Sequence, residues 1–368
     1  MRISLQYKHN LELTVCLSLI TAQPVEINDI EISEEGLTSS QISLLELFDK
    51  ICNGVTFDIN ETGCRLRVIP GTLIGGEIEH ECDNSAALGY YAMYLLLLSP
   101  FCKKPIEANL YGVTNKSNSI SPEFLYYAIG HFIKDLVGID SSFEIVVKKR
   151  GAFPNGGGHA IFKSKPTQSL KPMEKIKIGK IQKVRGTAWS TRLNPTLGKR
   201  QIDGIKKLMN KFLSDVYLIH DHKKGEDSGN SPGYGIIVTA TTTEGISYVS
   251  EVVSVSQGSV ASIPEDLGEE AGNLLNQQMI RGGVIVEEFE PLLLTMLAVG
   301  KKNVSKIVLG VPSTETAQAL LDIKLFTGVK YSIEPLQQGQ EGYRDNCNQQ
   351  LLFTCIGAGL VNLNRSIR

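Results

Sequence analysis

The sequence predicts an α/β or α+β fold in which helices back sheets in three similar units, the third interrupted by a smaller α/β domain. Two observations carry this. At three places an amphipathic helix, a glycine and a β-branched or aromatic strand follow one another: Phe48 to Phe57 around Gly54, Phe132 to Ile139 around Gly138, and Asp322 to Tyr331 around Gly328. Glycine at such a junction supplies the left-handed conformation that ends a helix. The first two glycines lie about 84 residues apart and the last two about 190, so the third unit carries roughly 100 extra residues. These fall between the glycines at Gly156 to Gly158 and Arg281-Gly282-Gly283, because a helix beginning near Glu290 belongs to the third unit. The expected division is 1–179 with 282–368 for the repeat domain and 180–281 for the insertion.

Taken in order, Leu13 to Ala22 reads as a short helix and Pro24-Val25-Glu26-Ile27 as the strand after it. The same apolar stretch, preceded by Lys8, has the outline of a secretory leader, but Glu12 interrupts its approach. Ala86 to Leu98 is the longest apolar run; it contains Gly89 and three tyrosines. It falls short of the roughly 18 residues of a membrane span and reads as a buried helix. A strand over Phe143 to Val147 leads into the glycine cluster. The insertion opens with a strand at Gly186 to Ser190 and continues with a helix from about Leu197 to Leu213. Strands around Val216 to Ile219 and Gly235 to Thr241 follow, then a helix from Pro264 to Met279. Pro264, Glu265 and Asp266 suit the first turn of that helix, where proline costs no hydrogen bond and acids meet the positive end of the dipole.

The chain has 368 residues, 42% apolar and 21% charged, a globular composition with room for two domains. A formal net charge of −2 excludes a globally basic protein, so any nucleic-acid contact must come from a local patch. Seven scattered cysteines form no CxxC pair, which argues against a disulfide framework or a zinc site and fits a reducing compartment.

The sharpest motif is Arg150-Gly151-Ala152-Phe153-Pro154-Asn155-Gly156-Gly157-Gly158. Three glycines without Cβ atoms let backbone approach either backbone or phosphate, so a tight interstrand loop and a phosphate-binding loop are both open. A small-molecule phosphate cradle would need a helix N-terminus directly after the loop, which this order lacks. The string resembles the signature of the RNA 3′-terminal phosphate cyclase family, departing at His159 and Ala160. Pro70-Gly71 with Gly75-Gly76, Gly112-Val113-Thr114-Asn115, and Ile20 to Pro24 extend the resemblance over nearly the whole chain. It is nearer still to the eukaryotic cyclase-like branch, through His80-Glu81-Cys82, Gly89-Tyr90-Tyr91, Ser99-Pro100-Phe101, Asp221 to Gly235, Pro264 to Gly268, and Gly357-Ala358-Gly359. The fold so implied is three repeated β/α units, each a four-stranded sheet with two helices, and a smaller α/β domain inserted in the third.

Cyclases of this family form a covalent adenylate on a histidine in a segment resembling Pro-Ser-x-His. The corresponding segment here is Pro312-Ser313-Thr314-Glu315. A neutral imidazole can attack phosphorus, whereas the Glu315 carboxylate is anionic at pH 7 and must approach a polyanion. The glycine-rich segment and arginine that cyclases carry before their first helix correspond to Tyr7 to Glu12 here, and Glu12 repels phosphate. The resemblance therefore implies a pseudoenzyme with no catalytic residue, no cofactor and no metal. Asp322 and Lys324, on the helix after Glu315, are the candidates for an alternative as a site-specific pre-rRNA endonuclease, with residual 3′-phosphate cyclase activity as another. His220-Asp221-His222 puts two imidazoles on one side of a strand without a third ligand at a matching spacing.

Between Lys163 and Arg185 eight basic residues face one acid, Glu174, and Lys148-Lys149-Arg150 lies just upstream. Such a run is either a solvated linker or a phosphate-binding strip. Lys148, Lys149, Arg150, Lys183, Arg185 and Arg192 are the RNA-binding candidates, with Trp189 as a stacking surface and Gly156, Gly157 and Gly158 as the phosphate or backbone loop. The resemblance implies a nuclear, nucleolar assembly factor in early pre-rRNA processing and maturation of the small ribosomal subunit (18S rRNA). The implied partners are a ribosome-assembly GTPase, bound directly, and, within the small-subunit processome, pre-rRNA and a small nucleolar ribonucleoprotein; no membrane is implied.

Overall fold

The computed structural model describes residues 3–7, 10–30, 36–138, 143–254 and 263–363. The chain begins with β1 (Ile3–Gln6), α1 (Leu11–Thr21), β2 (Val25–Asn28), α2 (Ser39–Ile51), β3 (Cys52–Asn53), β4 (Thr56–Ile59), β5 (Leu66–Ile69) and β6 (Thr72–Leu73). It continues with β7 (Gly76–Glu81), α3 (Leu88–Leu98), β8 (Ile106–Gly112), α4 (Pro122–Val137), β9 (Glu144–Lys149), β10 (Gly158–Ser164) and β11 (Glu174–Lys175). Next come β12 (Ile181–Thr191), α5 (Thr196–Met209), β13 (Val216–Lys223), β14 (Gly233–Thr242), β15 (Ser247–Val253) and α6 (Pro264–Arg281). The last part holds α7 (Glu290–Val299), β16 (Val304–Leu309), α8 (Thr314–Thr327), β17 (Tyr331–Pro335) and β18 (Leu351–Ile356).

Local chemistry sets the helix ends. Asn10 caps α1 by accepting from the Leu13 amide at 3.0 Å. Thr38 and Gln41 form a reciprocal capping box on α2, and Ser121 before Pro122 caps α4; caps of this kind are each worth about 1 kcal/mol. Gly328 ends α8 in the left-handed region, and Gly138 ends α4 with φ +98°. The first junction differs from expectation: α2 stops at Cys52, which is already extended and pairs in the β3–β6 ribbon, so Gly54 turns the chain after β3 instead of capping the helix. Ile139, expected to follow Gly138 into a strand, lies outside the described residues.

Three four-stranded sheets share one order, β1-β2-β5-β4, β7-β8-β10-β9 and β11-β16-β18-β17. In each the first pair is parallel and the next two are antiparallel. A parallel pair needs a crossover, supplied by α1 and α3 in the first two. In the third, the whole β12–α6 segment comes between β11 and the crossover helix α7. Helix α3 lies between α1 and α7; all ten residues of α7 are buried, and the only α3 residue that is not is Tyr90. A helix apolar all round belongs at the centre of a core.

The fourth sheet has the order β13-β12-β14-β15. Helices α5 and α6 cross on one face through glycines: a Cβ on Gly204 would stand 2.2 Å from the Glu265 carbonyl oxygen, and one on Gly268 2.1 Å from that of Gln201. Arg200–Glu265 and Lys207–Glu269 pairs flank the crossing. Helix α5 ends at Met209, short of Leu213, and β15 is a strand that sequence periodicity did not mark.

Candidate functional site

The Glu315 carboxylate stands in the exposed first turn of α8, behind the Ser313 cap, which accepts from the Thr316 amide at 3.1 Å. An acid there is stabilised by the helix dipole. Next to it, Thr316 donates to Glu290 at 3.0 Å, and Arg281 binds Glu290 at 2.6 Å and Glu287 at 3.2 Å. Glu12, half-buried in the first turn of α1, accepts from the Tyr90 hydroxyl at 2.8 Å and the Gln41 amide at 3.1 Å. Burial and the Glu12 carboxylate hold the Tyr90 phenol well above its ordinary pKa, so it remains a donor. Of the stretch Tyr7 to Glu12, Lys8 and His9 lie outside the described residues.

Asp322 and Lys324 are not brought together. Two residues on a helix differ by about 200° in direction, and Asp322 is buried while Lys324 is exposed. Asp322 accepts from Gln318 at 2.9 Å and from Thr14 of α1 at 3.3 Å, joining α8 to α1 beside a cavity of about 320 Å³ lined by Gln6, Tyr7 and Thr14. A carboxylate engaged on both oxygens and facing away from the lysine is poorly placed as a base for cleavage.

The three glycines of the loop pack closely against protein, while Pro154 and Asn155 are exposed. A Cβ on Gly156 would come 2.8 Å from the Gly112 backbone, one on Gly157 2.6 Å from the Asn230 side chain, and one on Gly158 2.7 Å from Thr114. The loop binds the segment before β14: the Asn230 amide donates to the Gly156 carbonyl at 2.8 Å, the Gly229 amide to the Arg150 carbonyl at 2.6 Å, and the Asn155 amide to Ser231 at 3.0 Å. Of the two readings open in the sequence, this is the approach of backbone to backbone.

Arg150 is a correction to the proposed RNA strip. It is buried, bound to Glu123 at 2.6 Å and Asp221 at 3.3 Å, donates to Asn115 at 2.8 Å, and lies 5.2 Å from the centre of the Trp189 ring. An arginine directly after β9 with a carboxylate on each side joins α4 to β13, and its remaining Nε is buried away from RNA. Trp189 is fully buried and offers no surface for stacking. Glu123 was not singled out by the sequence, and Asn115 entered only as the end of the string Gly112 to Asn115. Asn115 also donates at 2.8 Å to Glu251, whose carboxyl is pushed up to about 7 by burial and by the like charge of Glu123.

The remaining basic candidates divide. Arg185 forms a two-pronged pair with Asp215 at 2.8 and 3.0 Å. Lys163 pairs with Glu107, Lys175 with Asp135 and Lys177 with Glu341, so part of the run is a set of surface ion pairs. Arg192, at φ +54°, turns its Nε to the Gly229 carbonyl. Lys148 is exposed, and Lys149 and Lys183 are half-buried. His220 and His222 both bind the Ser190 hydroxyl at 3.0 Å, and no group of three metal-ligating side chains occurs among the described residues.

A family model described as RNA 3′-terminal phosphate cyclase matches residues 8–333. The human RNA 3′-terminal phosphate cyclase-like protein is 37% identical over 96% of this chain and 94% of its own. The probable RNA 3′-terminal phosphate cyclase-like protein of Drosophila melanogaster is 33% identical over 97% and 95%. The rRNA processing protein rcl1 of Schizosaccharomyces pombe is 29% identical over 96% and 94%. On a match of this extent, the chain belongs to the RNA 3′-terminal phosphate cyclase family, beside its eukaryotic cyclase-like members.

Proposed function

We propose that this protein is a non-enzymatic ribosome-biogenesis factor of the nucleolus that acts in early pre-rRNA processing on the way to the small ribosomal subunit. One observation carries the reading: Glu315 occupies the exposed helix turn where the resemblance places the cyclase nucleophile. The resemblance puts that adenylate on an imidazole nitrogen, which Glu315 does not have, and its carboxylate is a like charge toward the triphosphate. Glu12 at the start of α1 adds a further anion. The fold remains as a platform, and the relative named as an rRNA processing protein supports the RNA class. Within this reading the chain works in the small-subunit processome, binding an assembly GTPase directly and meeting pre-rRNA with a small nucleolar ribonucleoprotein. The engagement of Asp322 by Thr14 and Gln318 weighs against an endonuclease built on it.

The test is recovery of tagged protein from nuclear extract, with parallel incubation in α-labelled ATP. Precursor rRNA and a GTPase recovered with an unlabelled chain support the platform. A covalent adenylate that disappears in Glu315→Ala overturns it.

A further inference from the structure

The β12–α6 segment separates its charges. Residues 180–224 contain eleven Lys and Arg against Asp203, Asp215 and Asp221, a net of +8, whereas 225–281 contain eight acids against Arg281 alone. With the sheet ordered β13-β12-β14-β15, the basic half forms one edge and the acidic half the other. Helices α5 and α6 cover the sheet face that carries Val184, Ala188, Leu218, Ile236 and Val238, all buried. Side chains alternate along a strand, so Lys183, Arg185, Thr187 and Trp189 of β12 share the opposite face with Tyr217, Ile219 and Asp221 of β13. There α4 covers β14 and β15, and Arg150 covers Trp189.

Beyond Trp189 that face opens. Tyr217 is 62% exposed and Ile219 48%, and they stand across the parallel ladder from Arg185 and Thr187. Phe212, 74% exposed, lies in the turn that leads into β13. Single exposed apolar residues are ordinary. Two side by side on one face of the edge strand, with a third in the turn that leads into it, call for an occupant.

We propose that this open face is a site for single-stranded RNA, with a base stacked on Tyr217, Ile219 and Phe212 beside it, and phosphates met by Lys183, Arg185, Lys211 and Lys224. This rests on the reading of the chain as a factor that handles RNA. Charge selects the occupant, because the cations bordering this face, Lys183, Arg185, Lys211 and Lys224, attract a polyanion, and unpaired bases supply the flat apolar faces that an exposed tyrosine stacks against. A duplex keeps its bases stacked inside and presents no such face. The Arg185–Asp215 pair is exposed and therefore weak, so it competes little with a phosphate. An extended protein strand pairing along the outer edge of β13 is the rival occupant; it would use backbone groups and not the Tyr217 ring.

The experiment is fluorescence anisotropy on the full chain with a uridine-rich single strand and a hairpin duplex. The single strand binds in preference, Tyr217→Ala weakens it about tenfold, and Tyr217→Phe restores it. Changing Lys211 and Lys224 to alanine flattens the salt dependence by about 0.7 log units per decade for each phosphate no longer neutralised. Wild-type affinity in Tyr217→Ala, or equal affinity for the duplex, overturns the site. So does loss of a protein partner in Tyr217→Ala with RNA affinity unchanged, which gives the edge to a peptide. If precursor rRNA is still recovered with that variant, the site alone falls; if no precursor rRNA is recovered with the wild-type chain, the RNA-factor reading falls as well.

Discussion

Arg150 holds three parts of the molecule with one guanidinium: Glu123 of α4, Asp221 of β13 and the Trp189 ring of β12. Removing it leaves the half-buried Glu123 and Asp221 carboxylates without the cation they share. Arg150→Ala should lower unfolding stability by about 3 kcal/mol, read from urea midpoints; a loss within the noise would contradict the hub. The arginine was legible as a motif residue, but its partners were not, because they lie 27 and 71 positions away and no periodicity links them. His80 makes a second residue-scale case. Lys50 donates to its Nδ1 at 3.1 Å, so Nε2–H donates to Ser43 at 2.9 Å and the ring is neutral. Burial and the Lys50 charge lower its pKa from 6.5 to about 4. Between those two values the unfolded chain takes up a proton that the native state refuses. His80's contribution is therefore full above pH 6.5 and is lost as pH falls toward 4. An NMR titration should show the ring unprotonated at pH 5, and a midpoint near 6.5 would contradict this.

Among the elements, the glycine loop shows what a motif can and cannot tell. Its tightness was legible, since no other residue tolerates such close approach; what it approaches was not. The answer is the Gly229–Ser231 segment of a different sheet, whose position depends on the whole β12–α6 segment. Gly156→Ala combines φ +53° with a Cβ 2.8 Å from the Gly112 backbone, so a loss of about 1 to 3 kcal/mol is expected from the conformation alone. Limited proteolysis should then cut near Gly229 sooner than in the wild type, and an unchanged digestion pattern would contradict the docking. The start of α6 was readable, because Pro264, Glu265 and Asp266 have the chemistry of a first turn. Strand β15 was not, because the polar Ser250 and Glu251 are turned toward Ala271 and Asn115 inside the protein and break its apolar signature.

For the whole molecule, the clamp at Arg150 ties β12 and β13, the basic half of the fourth sheet, to α4. The single tryptophan is a natural reporter of that geometry. Asp221→Ala removes one of the two carboxylates at Arg150, and Trp189 emission should move to longer wavelength as the junction loosens; no shift would mean that Glu123 alone holds it. The central claim is that the protein serves pre-rRNA processing without the family's adenylate chemistry. Its most direct test is pulse-labelling of rRNA in cells whose own copy has been depleted and replaced by Glu315→Ala. Depletion alone should stall small-subunit rRNA while large-subunit rRNA continues, and the Glu315→Ala chain should restore the wild-type pattern. Failure of that variant to rescue, at normal protein levels, would make the carboxylate essential and contradict a non-enzymatic platform.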